Sequence, residues 1–176
     1  NLGKVLFWDE QMSSTRTVAC GSCHQAKVGG SDPRSQVGVA SATHPGNDGI
    51  VGTVDDITGS PGVPRNLADG SYALSTPFGM QAQVTSRRTP SHIDAGYSPL
   101  LFWDGRATGT FVDPVSGATV LNAGAALESQ AAGPPVSSTE MAHETRDWTE
   151  VAARIAASTP LRLALVVPSD LSAYIG

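Results

Sequence analysis

Residues 19–24 read ACGSCH and hold the only two cysteines of the 176-residue chain. A pair this close can form a disulfide, give half of a zinc site, act as a redox dithiol or anchor a haem. Zinc would need two further ligands from His24, His44, His92 and His143, and none of the last three sits at finger spacing. A thioredoxin-like dithiol expects a preceding strand in a βαβ unit, which the sequence does not offer. The residue after Cys23 is His24, which favours covalent haem c. Two thiols on one helical turn can each add to a haem vinyl group, and the adjacent imidazole then projects at the iron. On this reading Cys20 and Cys23 fix the porphyrin and His24 supplies the proximal iron ligand.

Working outward, the chain is long enough for one domain with its own core. Apolar residues make up 40% and charged residues 15%, with 19 Gly and 12 Pro, which predicts a compact body threaded by turn-rich loops. The net charge of −5 and the lack of any Lys/Arg run argue against nucleic acid as a partner. No run approaches the length of a membrane span. The chain opens at NLGKVLFWDE without Met, which predicts a processed or trimmed terminus.

The predicted fold class is mainly α, a cytochrome c-like haem domain over 1–176 with long irregular loops. Residues 1–12 have an amphipathic pattern, with Leu2, Val5, Leu6 and Met12 on one face. Residues 15–27 predict a short helix stopped by Gly29-Gly30. From 29 to 90 turn residues dominate, as in HPGNDGIVGTVDDITGSPGVPRN (44–66), and 35–80 reads as a loop insertion. Residues 91–102 predict helix up to Pro99, and TVLNAGAALESQAA (119–132) predicts another. The strongest pattern is DWTEVAARIAA (147–157): Asp147 and Glu150 read as a capping box, with Trp148, Val151, Ala152 and Ile155 facing inward.

Three ordered blocks carry a family resemblance. They are LGKVLFWDEQMSSTRTVACGSCHQAKVGGSD (2–32), RRTPSHIDAGYSPLLFWDGRA (87–107) and LESQAAGPPVSSTEM (127–141). Together they resemble the bacterial di-haem cytochrome c peroxidase family, which includes the di-haem enzyme that matures methylamine dehydrogenase. The resemblance implies the N-terminal, peroxide-reacting haem domain, with Cys20, Cys23 and His24 binding haem c. Trp103 matches the tryptophan between the two haems that assists electron transfer. Phe102, Gln130, Pro134 and Glu140 match the distal pocket, with Glu140 as the acid/base group. Arg106, with Asp104, either braces its own turn or meets a haem propionate. It further implies hydrogen peroxide as substrate, a small cytochrome or cupredoxin as electron donor, and a periplasmic or otherwise extracytoplasmic location.

The chain departs from the family pattern in three places. One Cys-x-x-Cys-His motif is present where the family has two, so a second haem domain or subunit is an expected partner. The stretch STPFGMQAQVTSRRTP (75–90) lacks the removable distal His, leaving Met80 or the loop-borne His44 as the alternatives for the far side of the iron. Arg88 stands where the family's calcium uses Asn, which argues against calcium there, although Asp48, Asp55 and Asp56 offer oxygen ligands on a loop. Two function classes follow: a haem peroxidase, or a non-catalytic one-haem electron-transfer or structural subunit. The iron's sixth ligand discriminates between them.

Overall fold

A computed structural model describes residues 2–35 and 43–174. Among them are four α-helices: α1 (Leu2–Leu6), α2 (Cys20–Cys23), α3 (Ala126–Ala131) and α4 (Trp148–Ala157). Six short strands pair antiparallel as three separate ribbons: β1 (Thr43–His44) with β2 (Ile57–Thr58), β3 (Pro61–Pro64) with β4 (Ala82–Val84), and β5 (Phe111–Val112) with β6 (Thr119–Leu121). The expectation of a mainly α chain is therefore corrected. The helices are short, the longest has 10 residues, and ribbons and turns occupy much of the rest.

Local side-chain chemistry explains where helix was lost. After α1, Asp9 takes an extended backbone and its carboxylate accepts Gln11 N at 3.0 Å, which starts a 3₁₀ turn (Glu10–Met12) in place of a continued helix. The Ser13 hydroxyl accepts Thr17 N at 3.0 Å and Val18 N at 3.1 Å, holding the approach to Cys20 out of helix. In 119–132 the β-branched Thr119 and Val120 join a hairpin. Its turn is set by Asp113, which accepts Val115 N at 3.0 Å and the Ser116 hydroxyl at 2.6 Å. Only 126–131 remains helical there. In 91–102 a single 3₁₀ turn (Ala95–Tyr97) forms, and Phe102 adopts φ +67°.

The last helix follows its pattern. Asp147 caps α4 by accepting Glu150 N at 2.9 Å. The Glu150 carboxylate does not complete the box but meets His143 Nε2 at 2.7 Å. Val151 is fully buried and packs with Met12 and Met141, flanked by Leu6, Val18, Val136, Trp148 and Ile155, whereas Ala152 is exposed. A second small cluster joins Val5 of α1 to Leu161 and Leu171, with Val167 against it. No helix among the described residues is long and apolar enough to cross a membrane.

Candidate haem-attachment site

Both thiols lie on α2 and both are free. Of the two residues between them, the first is Gly21, and the Trp8 ring lies on that spot: a Cβ there would overlap Trp8 Cε3. Gly21 N also donates to Phe7 O at 2.9 Å, so α1 and its following turn back the thiol helix directly. Arg34 braces the other side. Its guanidinium donates to both oxygens of the fully buried Asp32, each at 2.9 Å, to Ser22 O at 3.1 Å, and to Cys23 Sγ at 3.4 Å. Burial raises both thiols above their ordinary value, and Cys23 reaches about 11 despite the Arg34 cation. Both thiols therefore hold their protons more tightly than a free cysteine does, the reverse of the lowered pKa that activates a redox dithiol.

His24 follows α2 as its cap, with Nδ1 3.3 Å from Gly30 O. A carbonyl only accepts, so Nδ1 carries the proton and Nε2 keeps its lone pair. Burial lowers the His24 pKa, outweighing the Gly30 carbonyl, which raises it. The neutral ring is the form that binds a metal. Gly30 reaches this position through a left-handed turn, with φ +76°.

The ribbon β3·β4 connects this turn to Glu140. Cys23 Sγ lies 3.8 Å from Pro61 O, and two residues on, Val63 N donates to Thr139 O at 3.1 Å. Buried Gln83 of β4 donates to Ser138 O at 2.8 Å, and Arg65 grips Glu144 through both carboxylate oxygens at 2.6 and 3.1 Å. The segment 138–144 is thus stitched to a strand that also touches a thiol. Glu140 is partly buried, and burial raises its carboxyl pKa while the Arg106 cation opposes. Its charge acts on both thiols in turn. β3 falls within 35–80, the stretch expected to be an insertion.

The block 102–106 forms a surface arginine–aromatic cluster. Trp103 is 85% exposed beneath the Arg87 guanidinium, 5.1 Å from the ring centre, and Arg106 lies 3.4 Å over Phe102. Asp104 accepts from Arg87 at 2.6 Å and from Arg106 at 2.9 Å. Gln130 lies in the last turn of α3 and Pro134 opens the next 3₁₀ turn, both half-buried. Met80 is half exposed, and His44 packs edge-on against Phe78 at 4.8 Å, in the same hairpin as Met80. His143 is buried and committed to Glu150 and to the Glu144 carbonyl, each at 2.7 Å.

Asp48, Asp55 and Asp56 spend their carboxylates on their own loop. Asp55 accepts Asn47 N at 2.7 Å, Asp48 accepts Ile50 N at 2.8 Å and Asp56 accepts Gly52 N at 2.7 Å. Among the described residues, no group of three or more His, Cys, Asp or Glu is placed to hold a metal ion.

Sequence reasoning missed Asp32, Arg34, Gln83 and Arg87. Asp32-Pro33-Arg34, one residue beyond Gly29-Gly30, was a readable signal for the first pair. For Gln83 and Arg87 only the fold supplies the partner.

Residues 1–165 match the family described as di-haem cytochrome c peroxidase. The chain belongs to that family. An Escherichia coli (strain K12) relative, cytochrome c peroxidase Ccp, is 24% identical over 155 residues, which cover 88% of this chain and 20% of the relative. The chain therefore spans about a fifth of that relative's length. The donor set fits a c-type haem: two free thiols on one helical turn, followed at once by an imidazole whose Nδ1 is held by a carbonyl.

Proposed function

We propose that this chain carries one covalent haem c, tethered by Cys20 and Cys23 and ligated by His24, and reduces hydrogen peroxide. The observation that carries the reading is His24: its Nδ1 is held by the Gly30 carbonyl at 3.3 Å, one residue beyond a helical turn that carries two free thiols. Once bound there, the haem would supply a redox-active iron able to take up the peroxide oxygen.

The chain's own contribution is proton handling and access. Reducing one peroxide to two waters consumes two protons and two electrons. Burial raises the Glu140 pKa, which makes its carboxylate a stronger base, so Glu140 can take the peroxide proton and, as the acid then formed, return it to the departing oxygen. Arg106, whose charge acts on Glu140, keeps that pKa from rising further. Phe102, Gln130 and Pro134 are assigned to the walls. The exposed Trp103 is the assigned route for electrons from an outside donor, a small cytochrome or cupredoxin, or from a second haem domain. Haem c is attached outside the cytoplasm, which makes a periplasmic or other extracytoplasmic setting part of the same proposal. Met80 remains the candidate for the far side of a resting iron.

Haem staining of a denaturing gel tests the attachment. Wild-type chain expressed with haem-attachment machinery should give a covalent band that Cys20→Ala/Cys23→Ala abolishes, and a band surviving in the double variant overturns the assignment. Glu140→Gln should slow peroxide turnover about 10²–10⁴-fold with an unchanged absorption spectrum. Wild-type turnover in that variant removes Glu140 from the chemistry.

A further inference from the structure

Three N–H groups converge on one backbone carbonyl beside the thiol helix. Gly30 O lies 3.3 Å from His24 Nδ1, 3.1 Å from His92 Nδ1 and 3.3 Å from His92 N. Because the carbonyl can only accept, both rings present Nδ1–H to it. A carbonyl oxygen has two lone pairs, so three donors over-subscribe it, and the nearest is the His92 ring. The two rings are also in contact, edge-to-face with centres 5.6 Å apart, and Phe7 lies against both at 6.4 and 5.3 Å. There is little slack: a Cβ on Gly30 would fall 2.8 Å from His92 Nδ1.

We infer that His92 is a positioning residue for His24, taking the nearer share of the Gly30 carbonyl and thereby weakening the hydrogen bond that His24 Nδ1–H makes to it. The inference rests on the proposal that His24 ligates a haem iron. A strong hydrogen bond from the remote nitrogen of a ligating imidazole makes its metal-facing nitrogen a better electron donor, and orients the ring. Sharing the acceptor does the reverse. His92 thus sets a weaker donor at His24 Nε2 and a higher iron potential than the Gly30 carbonyl alone would give.

Two substitutions in the haem-loaded full chain separate this effect from packing. His92→Phe keeps a ring against Phe7 and His24 but removes the competing N–H. His92→Asn places an amide N–H where Nδ1 stood. Redox titration should show the midpoint potential of His92→Phe displaced to more negative values, and resonance Raman of the ferrous form should show its iron–histidine stretch raised. His92→Asn should stay with wild type in both. An unmoved potential in His92→Phe, or a His92→Asn protein that shifts as far, overturns the inference. His92→Leu carries the same measurement should His92→Phe fail to fold. Haem staining keeps the two levels apart: an unstained wild-type chain removes the haem proposal and this inference together, whereas stained variants with wild-type potentials remove the inference alone.

Discussion

Asp32 and Asp104 each hold arginine, and they sit in opposite surroundings. Asp32 is fully buried, and its carboxylate holds the Arg34 fork that also reaches Ser22 O and Cys23 Sγ. Asp104 lies at the surface between two arginines, Arg87 and Arg106. The Arg87 and Arg106 hydrogen bonds bring Asp104 down to a pKa of about 2. For Asp32, burial pushes the carboxyl upward and the bonds from Arg34 outweigh it, so its pKa too is lowered. Two partners in water contribute less to folding than one partner in the interior, because solvent and salt screen the surface pair while a broken buried pair leaves a charge without its counterpart. Burial, not the number of arginines, decides which aspartate holds the fold.

That contrast can be broken at Asp32 first. Asp32→Asn should lower unfolding stability by about 2–4 kcal/mol, since Arg34 loses a charged acceptor beside the thiol turn. Denaturant titration checks the size, and a loss within error of zero would show that Arg34 is held by Ser22 alone. The sign with pH also follows. A carboxyl whose folded pKa is depressed contributes stability that is present above its unfolded value, near 3.8, and lost as pH falls through the lower folded value. Wild type should therefore lose stability in that acid window and Asp32→Asn should lose less of it.

Gly30→Ala comes next in size. A side chain at φ +76° is strained and would also crowd His92, together costing about 1–3 kcal/mol by thermal or chemical unfolding. A neutral result would mean that the turn relaxes freely and that the carbonyl is not held in place. Asp104→Asn should do least. Its unfolding midpoint should stay near wild type at physiological salt, and any difference should shrink further as salt is added. A large, salt-independent loss would make the surface cluster structural and erase the contrast.

How much was legible in the sequence follows the same division between local and distant causes. The thiol turn and its imidazole were readable because one helical turn fixes their relation, whatever surrounds it. α4 was readable because its cap and its buried stripe lie within eleven residues. The 119–132 helix was over-read because an apolar pattern does not reveal that Thr119 and Leu121 have strand partners at 111–112. The approach to Cys20 was over-read because a single Ser13 hydroxyl captures two backbone N–H groups. Gln83, which ties Ser138 to β3, has no neighbour in sequence that announces its role. Distance along the chain hid Gln83, whereas at 13–18 and 119–121 local hydrogen bonds competed with the helix that the pattern suggests.

The five-residue helix α1 sits between two very different neighbours. Val5 closes the cluster with Leu161 and Leu171, and Lys4 pairs with Asp170, while Phe7 two positions on leans against His24 and His92. The stretch after α4 and the imidazole pair are thus joined across four consecutive residues, Lys4 to Phe7.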